Sequence, residues 1–83
     1  MIGKKTREHA ALICDVVASG EWPAYTTDVA QELGVHLDAD AIYLANSARM
    51  VAYDGTIRGT AANAAALIRD GWLPGDHVWR KSP

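Results

Sequence analysis

The sequence predicts a mostly α-helical fold of about four helices, with a short β-hairpin or a plain turn after the third. Three observations predict it. Apolar residues recur at helical spacing in successive segments. Glycine stands just past the end of most of those segments, where a helix can stop. Alanine, the strongest helix former, supplies much of the apolar content. The chain has 83 residues, enough for one small domain spanning residues 1–83. Large core groups are scarce: three Trp, three Tyr and no Phe.

The first helix is expected from a Thr6 cap to about Ala18 or Ser19, with Gly20 as its stop. Ala10, Ile13, Cys14 and Val17 form its buried stripe, widened by Leu12 and Val16. Residues 1–5 are expected to fray. A loop over 20–26 follows, in which Trp22 and Tyr25 are expected to seal the core edge. Thr26 or Thr27 caps a second helix ending at Leu33, and Gly34 supplies a left-handed turn. Asp38 or Asp40 caps a third helix that reaches about Met50.

Asp54-Gly55, between Met50 and Arg58, is a hairpin signal with short flanks. Gly59 breaks the chain, and Thr60 is expected to cap a fourth helix to Asp70, with Gly71 as its stop. The tail, 72–83, turns at Pro74-Gly75 and is expected to pack on the helices, with a short strand near His77-Val78-Trp79.

The formal net charge is −2, and its distribution matters more than its sum. Residues 10–40 hold six acids and no Lys or Arg. That disfavours a general nucleic-acid surface there. No apolar run approaches the length of a membrane span, so no membrane partner is expected. The lone Cys14 allows no internal disulfide, which fits a reducing, cytoplasmic setting.

From Thr26 to Met50 the chain resembles helix-turn-helix proteins. Val29, Leu33 and Val35 are apolar, Ala30 is small where the second helix crosses closely, and Gly34 makes the turn. The pattern departs at Asp40, where a buried Val or Ile belongs; Ile42 takes that role if the turn is two residues longer, as winged variants allow. A hairpin over 50–58 completes a winged-helix-like order. The resemblance implies a third helix that reads DNA with Tyr43, Asn46, Ser47 and Arg49. Arg58 and an N-terminal arm of Lys4, Lys5 and Arg7 would touch phosphates. The bland alternative is two amphipathic helices joined by a glycine turn, with a solvated N-terminus.

Other chemistry finds little support. His9, His36 and His77 lack metal-ligand spacing, and the serines lack a nucleophile-elbow context. No phosphate-binding glycine loop is present. No catalytic, cofactor or metal site is expected, and the chain is not expected to be an enzyme. Trp72, Leu73, Val78 and Trp79, beside Arg80 and Lys81, form a candidate hot spot for a protein partner. The competing reading is that they close an alanine-rich core.

The expectation is therefore a small, non-catalytic regulatory or protein-interaction module. It would use the acidic surface of residues 15–40 to meet a basic partner, or the Trp-bearing tail to meet an apolar one. The alternative is a DNA-binding, winged-helix-like regulator. The compact alanine-rich style resembles small bacterial or bacteriophage proteins. A homodimer through the first or fourth helix is a further option.

Overall fold

The computed structural model describes residues 2–20, 25–50, 57–75 and 79–81, without the side chains of residues 50 and 57–62. Four helices come first: α1 (Lys4–Ser19), α2 (Thr26–Glu32), α3 (Ala39–Met50) and α4 (Ile57–Arg69). An antiparallel hairpin follows, β1 (Trp72–Pro74) and β2 (Trp79–Lys81). The fold class is thus the expected one: mostly helical, with four helices and one two-stranded hairpin. The hairpin lies beyond the third helix, and it also lies beyond the fourth. The Asp54-Gly55 signal falls outside the described residues, as do Trp22 and Val78. Ile57 and Arg58 open α4 and are not strand. Gly59 lies inside that helix, where it costs about 1 kcal/mol against alanine without ending it.

α1 begins earlier than the Thr6 cap predicts. Gly3 takes the N-cap position, and the Arg7 amide donates to the Gly3 carbonyl at 3.0 Å. Lys4 and Lys5 are therefore helical, and Ile2 packs partly against the core. At the other end Gly20, at φ 68°, takes the left-handed conformation expected of it.

α1 is the central element and packs on all three other helices. Its buried residues are Ala10, Ala11, Ile13, Cys14 and Val17. Leu12 does not join them and is 37% exposed. It sits about 200° around the helix from Ala10, on the far side from the core. Eight of the fourteen buried apolar residues among those described are alanine. Alanine lets the helices approach closely but removes little apolar surface per residue. The bulk falls to Ile13, Ile68, Val29 and Cys14, the largest fully buried side chains. Burial also pushes the Cys14 thiol up to about 12, so it stays a neutral packing group.

The hairpin closes the side of this core. Leu73 and Trp79 pack partly against it. β1 runs from Gly71, whose φ of 96° turns the chain out of α4. Lys81 Nζ donates to the Asp70 carbonyl at 2.9 Å and lies 5.4 Å from the Trp72 ring centroid. The Trp72 indole donates to Asp70 Oδ2 at 3.2 Å. These contacts fasten the hairpin to the end of α4, and Lys81 holds the Asp70 carboxyl below its ordinary range.

Candidate interaction surface

The stretch from α2 through the turn to α3 is set by its backbone hydrogen bonds. α2 ends in a Schellman motif: the Val35 amide donates to the Ala30 carbonyl at 2.9 Å and the Gly34 amide to Gln31 at 3.1 Å. Gly34, at φ 75°, is the residue that makes this closure unstrained. Six residues, 33–38, then separate the helices. Asp38, not Asp40, caps α3. Its Oδ1 accepts the Ala41 amide at 3.2 Å.

Asp38 also ties this turn to α1. Its Oδ2 lies 2.8 Å from His9 Nδ1, and Oδ1 accepts Thr6 Oγ1 at 3.4 Å. The His9 hydrogen bond, with those from Ala41 and Thr6, holds the Asp38 carboxyl below the usual carboxylate range. Thr6, expected as a helix cap, is instead this cross-link.

Thr26 does not cap α2. Tyr25 occupies the N-cap position with no side-chain cap bond. The buried Thr26 hydroxyl donates across to Asn46 Oδ1 and accepts from Arg49 Nη1 at 3.2 Å. Two side chains expected to read bases therefore also bolt α3 to the start of α2. Tyr25, expected to seal the core edge, is 70% exposed. It immediately precedes that junction.

α3 buries Ala41, Leu44, Ala45 and Ala48. Asp40, Tyr43 and Asn46 follow each other at spacings of three on the exposed side, and Ser47 is half-buried. Leu37 stands just ahead of the helix. It occupies the position before the N-cap, where an apolar side chain ordinarily folds onto the fourth helical residue, here Ile42. Leu37 instead stays 88% exposed, and Tyr43 is 75% exposed. Of the five exposed large apolar side chains among the described residues, four (Tyr25, Leu33, Leu37 and Tyr43) fall between residues 25 and 43.

The acids of this region divide into two kinds. Asp15 is paired with Arg69, and Asp38 is held by His9. Asp28, Glu32 and Asp40 are exposed and make no ion pair among the described residues. Asp28 and Glu32 sit four apart on the outside of α2.

The expected cations do not gather on α3. Lys5 lines an open groove with His9, Gly34, Val35, Leu37 and Asp38, near the start of that helix. Arg49 is at its other end, about 16 Å along the axis from Asp38. Arg7 is partly buried, and its Nε has no hydrogen-bond partner among the described residues. Arg58 lies in α4, with its side chain outside the described set. In the tail, Leu73 and Trp79 face the core, and Trp72 is engaged by Asp70 and Lys81. The exposed Leu37 is the feature that hydropathy reading misses. Its only signal is an apolar residue directly before an Asp cap.

Among the described residues no group of three His, Cys, Asp or Glu side chains is placed to hold a metal ion. No helix of the described chain is long and apolar enough to cross a membrane. No protein-family model, curated protein or solved structure significantly matches this chain.

Proposed function

We propose that this chain is a small, non-catalytic protein-interaction module that binds through the outer side of α2, the following turn and α3. One observation carries the reading. The large apolar side chains left in water are concentrated there, with Leu37 lifted off the residue it would ordinarily cover. The Trp-bearing tail is the weaker candidate, because Leu73 and Trp79 are already used against the core. The open groove at Lys5 and His9 offers a ligand contact on one side only, which suits a surface better than a reaction chamber.

DNA binding through α3 is the second reading. The exposed row of Tyr43 and Asn46 favours it, since an asparagine can pair with an adenine edge. Asp40 within that row, and Asp28 and Glu32 on α2, weigh against it, because phosphates demand nearby cations.

The test combines two measurements. A photo-crosslinking phenylalanine analogue in place of Tyr43 is expected to trap a protein adduct in cells. The same group in place of Leu12, also exposed, is expected not to, and Leu37→Ser is expected to remove the adduct at position 43. Mixed-sequence duplex DNA is expected to remain unbound at low salt. Binding to DNA that weakens steeply with salt and needs Asn46 would favour the second reading instead.

A further inference from the structure

We infer that the partner of this face is a basic amphipathic segment, with Lys or Arg interleaved among apolar side chains. The inference rests on the interaction-module reading and adds the chemistry of the occupant. Leu37 and Tyr43, both largely in water, flank Asp40 at spacings of three. Asp40 and Tyr43 are neighbours on the exposed side of α3, and Leu37 stands just ahead of the helix, so an apolar side chain, an acid and an aromatic succeed one another there. A helix or strand that carries a cation between two apolar groups is their complement. Glu32 extends the negative charge toward α2. Only Leu33–His36 separate it from Leu37, so the two cannot be more than about 17 Å apart.

A second copy of the chain fits this face poorly. A two-fold contact sets the same patch against itself. Asp28, Glu32 and Asp40 would then face the same three acids of the other copy; Lys5, in the groove beside Leu37, offsets one of them, while Arg49 is turned to Thr26 and Asp38 already occupies His9. Such like-charge juxtaposition suppresses wrong partners. An acidic or nucleic-acid partner meets the same objection. A neutral apolar partner would cover Leu37 and Tyr43 but leave three carboxylates uncompensated at its edge.

The test is an amide-resolved NMR titration of the full chain with an 18-residue amphipathic Leu/Lys peptide. Its counterpart carries Gln at every Lys. The Lys peptide is expected to shift amides from Leu37 to Asn46, and to bind at least fivefold more weakly at 0.5 M than at 0.05 M salt. The Gln peptide is expected to bind at least tenfold more weakly, and Asp40→Asn with Glu32→Gln to lose a similar factor for the Lys peptide alone. Equal binding of both peptides at this face would overturn the basic-partner inference and leave the interaction face standing. So would dimerisation in light scattering that Leu37→Ser abolishes. Two outcomes would overturn the face itself. One is that neither peptide moves residues 37–46. The other is Lys-peptide binding that survives Leu37→Ser with Tyr43→Ser, which would be general attraction to an acidic protein. Circular dichroism of each variant confirms that its helices are retained.

Discussion

Where α1 meets α4, the chain finishes its bonding; on the outer side of α2 and α3 it does not. At the first, Ile13 and Ile68 are fully buried, and Arg69 lies between two acids of α1, 3.1 Å from Glu8 and 2.7 Å from Asp15. At the second, Leu37 and Tyr43 stand in water, and Asp28, Glu32 and Asp40 make no ion pair among the described residues. Both regions combine large apolar side chains with acids, but only the first adds a cation between them. The difference teaches that exposure here follows position in the fold, which is the basis of the proposed interaction face.

The comparison breaks first on truncation of the core. Ile13→Ala and Ile68→Ala are each expected to cost about 2–5 kcal/mol, the transfer loss plus a cavity. Neighbouring alanines have no side chain long enough to fill that space. Leu37→Ser and Tyr43→Ser are expected to change stability by no more than about 0.5 kcal/mol. Urea unfolding of the four variants measures the contrast. A cost above 2 kcal/mol for Leu37→Ser would mean that this side chain is buried in solution, and the open side would lose its main evidence.

That contrast was only half legible in the sequence. The helices could be placed because periodic apolar residues end at Gly20, Gly34 and Gly71, and each of these adopts positive φ. The core stripe of α1 follows from the same period. The start of α4 was obscured, because Gly59 reads as a break but lies inside the helix. The cap of α3 could be narrowed to two aspartates; choosing Asp38 needed His9 and Thr6, 29 and 32 residues away. The apolar periodicity says nothing of Leu37, and the helix-turn-helix resemblance makes Asn46 and Arg49 surface readers. Their actual surroundings depend on how α2 and α3 cross, which no local pattern encodes.

A smaller effect is expected at Asp38, the point where the two regions join. Asp38→Ala removes a helix cap and the anchor of His9, at a cost of about 1–2 kcal/mol. Asp38→Asn keeps a capping oxygen and should lose less. The folded carboxyl titrates below its ordinary value of about 3.9. Its contribution is therefore present above that value and is lost as pH falls through the lowered one. Denaturation midpoints between pH 5 and pH 2 should fall more steeply for the natural chain than for Asp38→Asn. Parallel curves would show that the Asp38 contacts are not formed in solution.

Smaller again is the Arg69 bridge. Its guanidinium is held more firmly protonated by Asp15 and Glu8, but it is more than a third exposed, so solvent screens the pairs. Arg69→Ala is expected to cost up to about 1 kcal/mol, and double-mutant cycles with Glu8→Ala and Asp15→Ala should each give a few tenths to 1 kcal/mol. Raising salt to 1 M should shrink both coupling energies. Couplings that persist at 1 M would mean that the pairs are shielded from water and that the packed side is tighter than its exposure indicates.

The smallest effect has the opposite sign, which makes it the sharpest probe of the open side. Glu32 is the last residue of α2, where the partial negative charge of the helix end disfavours a carboxylate. It has no cation among the described residues to offset this. Glu32→Lys should therefore stabilise the fold, by about 0.3–1 kcal/mol at low ionic strength, with the gain shrinking as salt is added. On the packed side, removing an acid such as Asp15 breaks a bond and lowers stability. On the open side, removing one should raise stability while weakening attraction to a basic partner. A charge kept against the interest of folding is what an interaction surface requires. If thermal unfolding finds Glu32→Lys less stable than the natural chain at low salt, Glu32 has a folding role, and the division between the two regions fails at that residue.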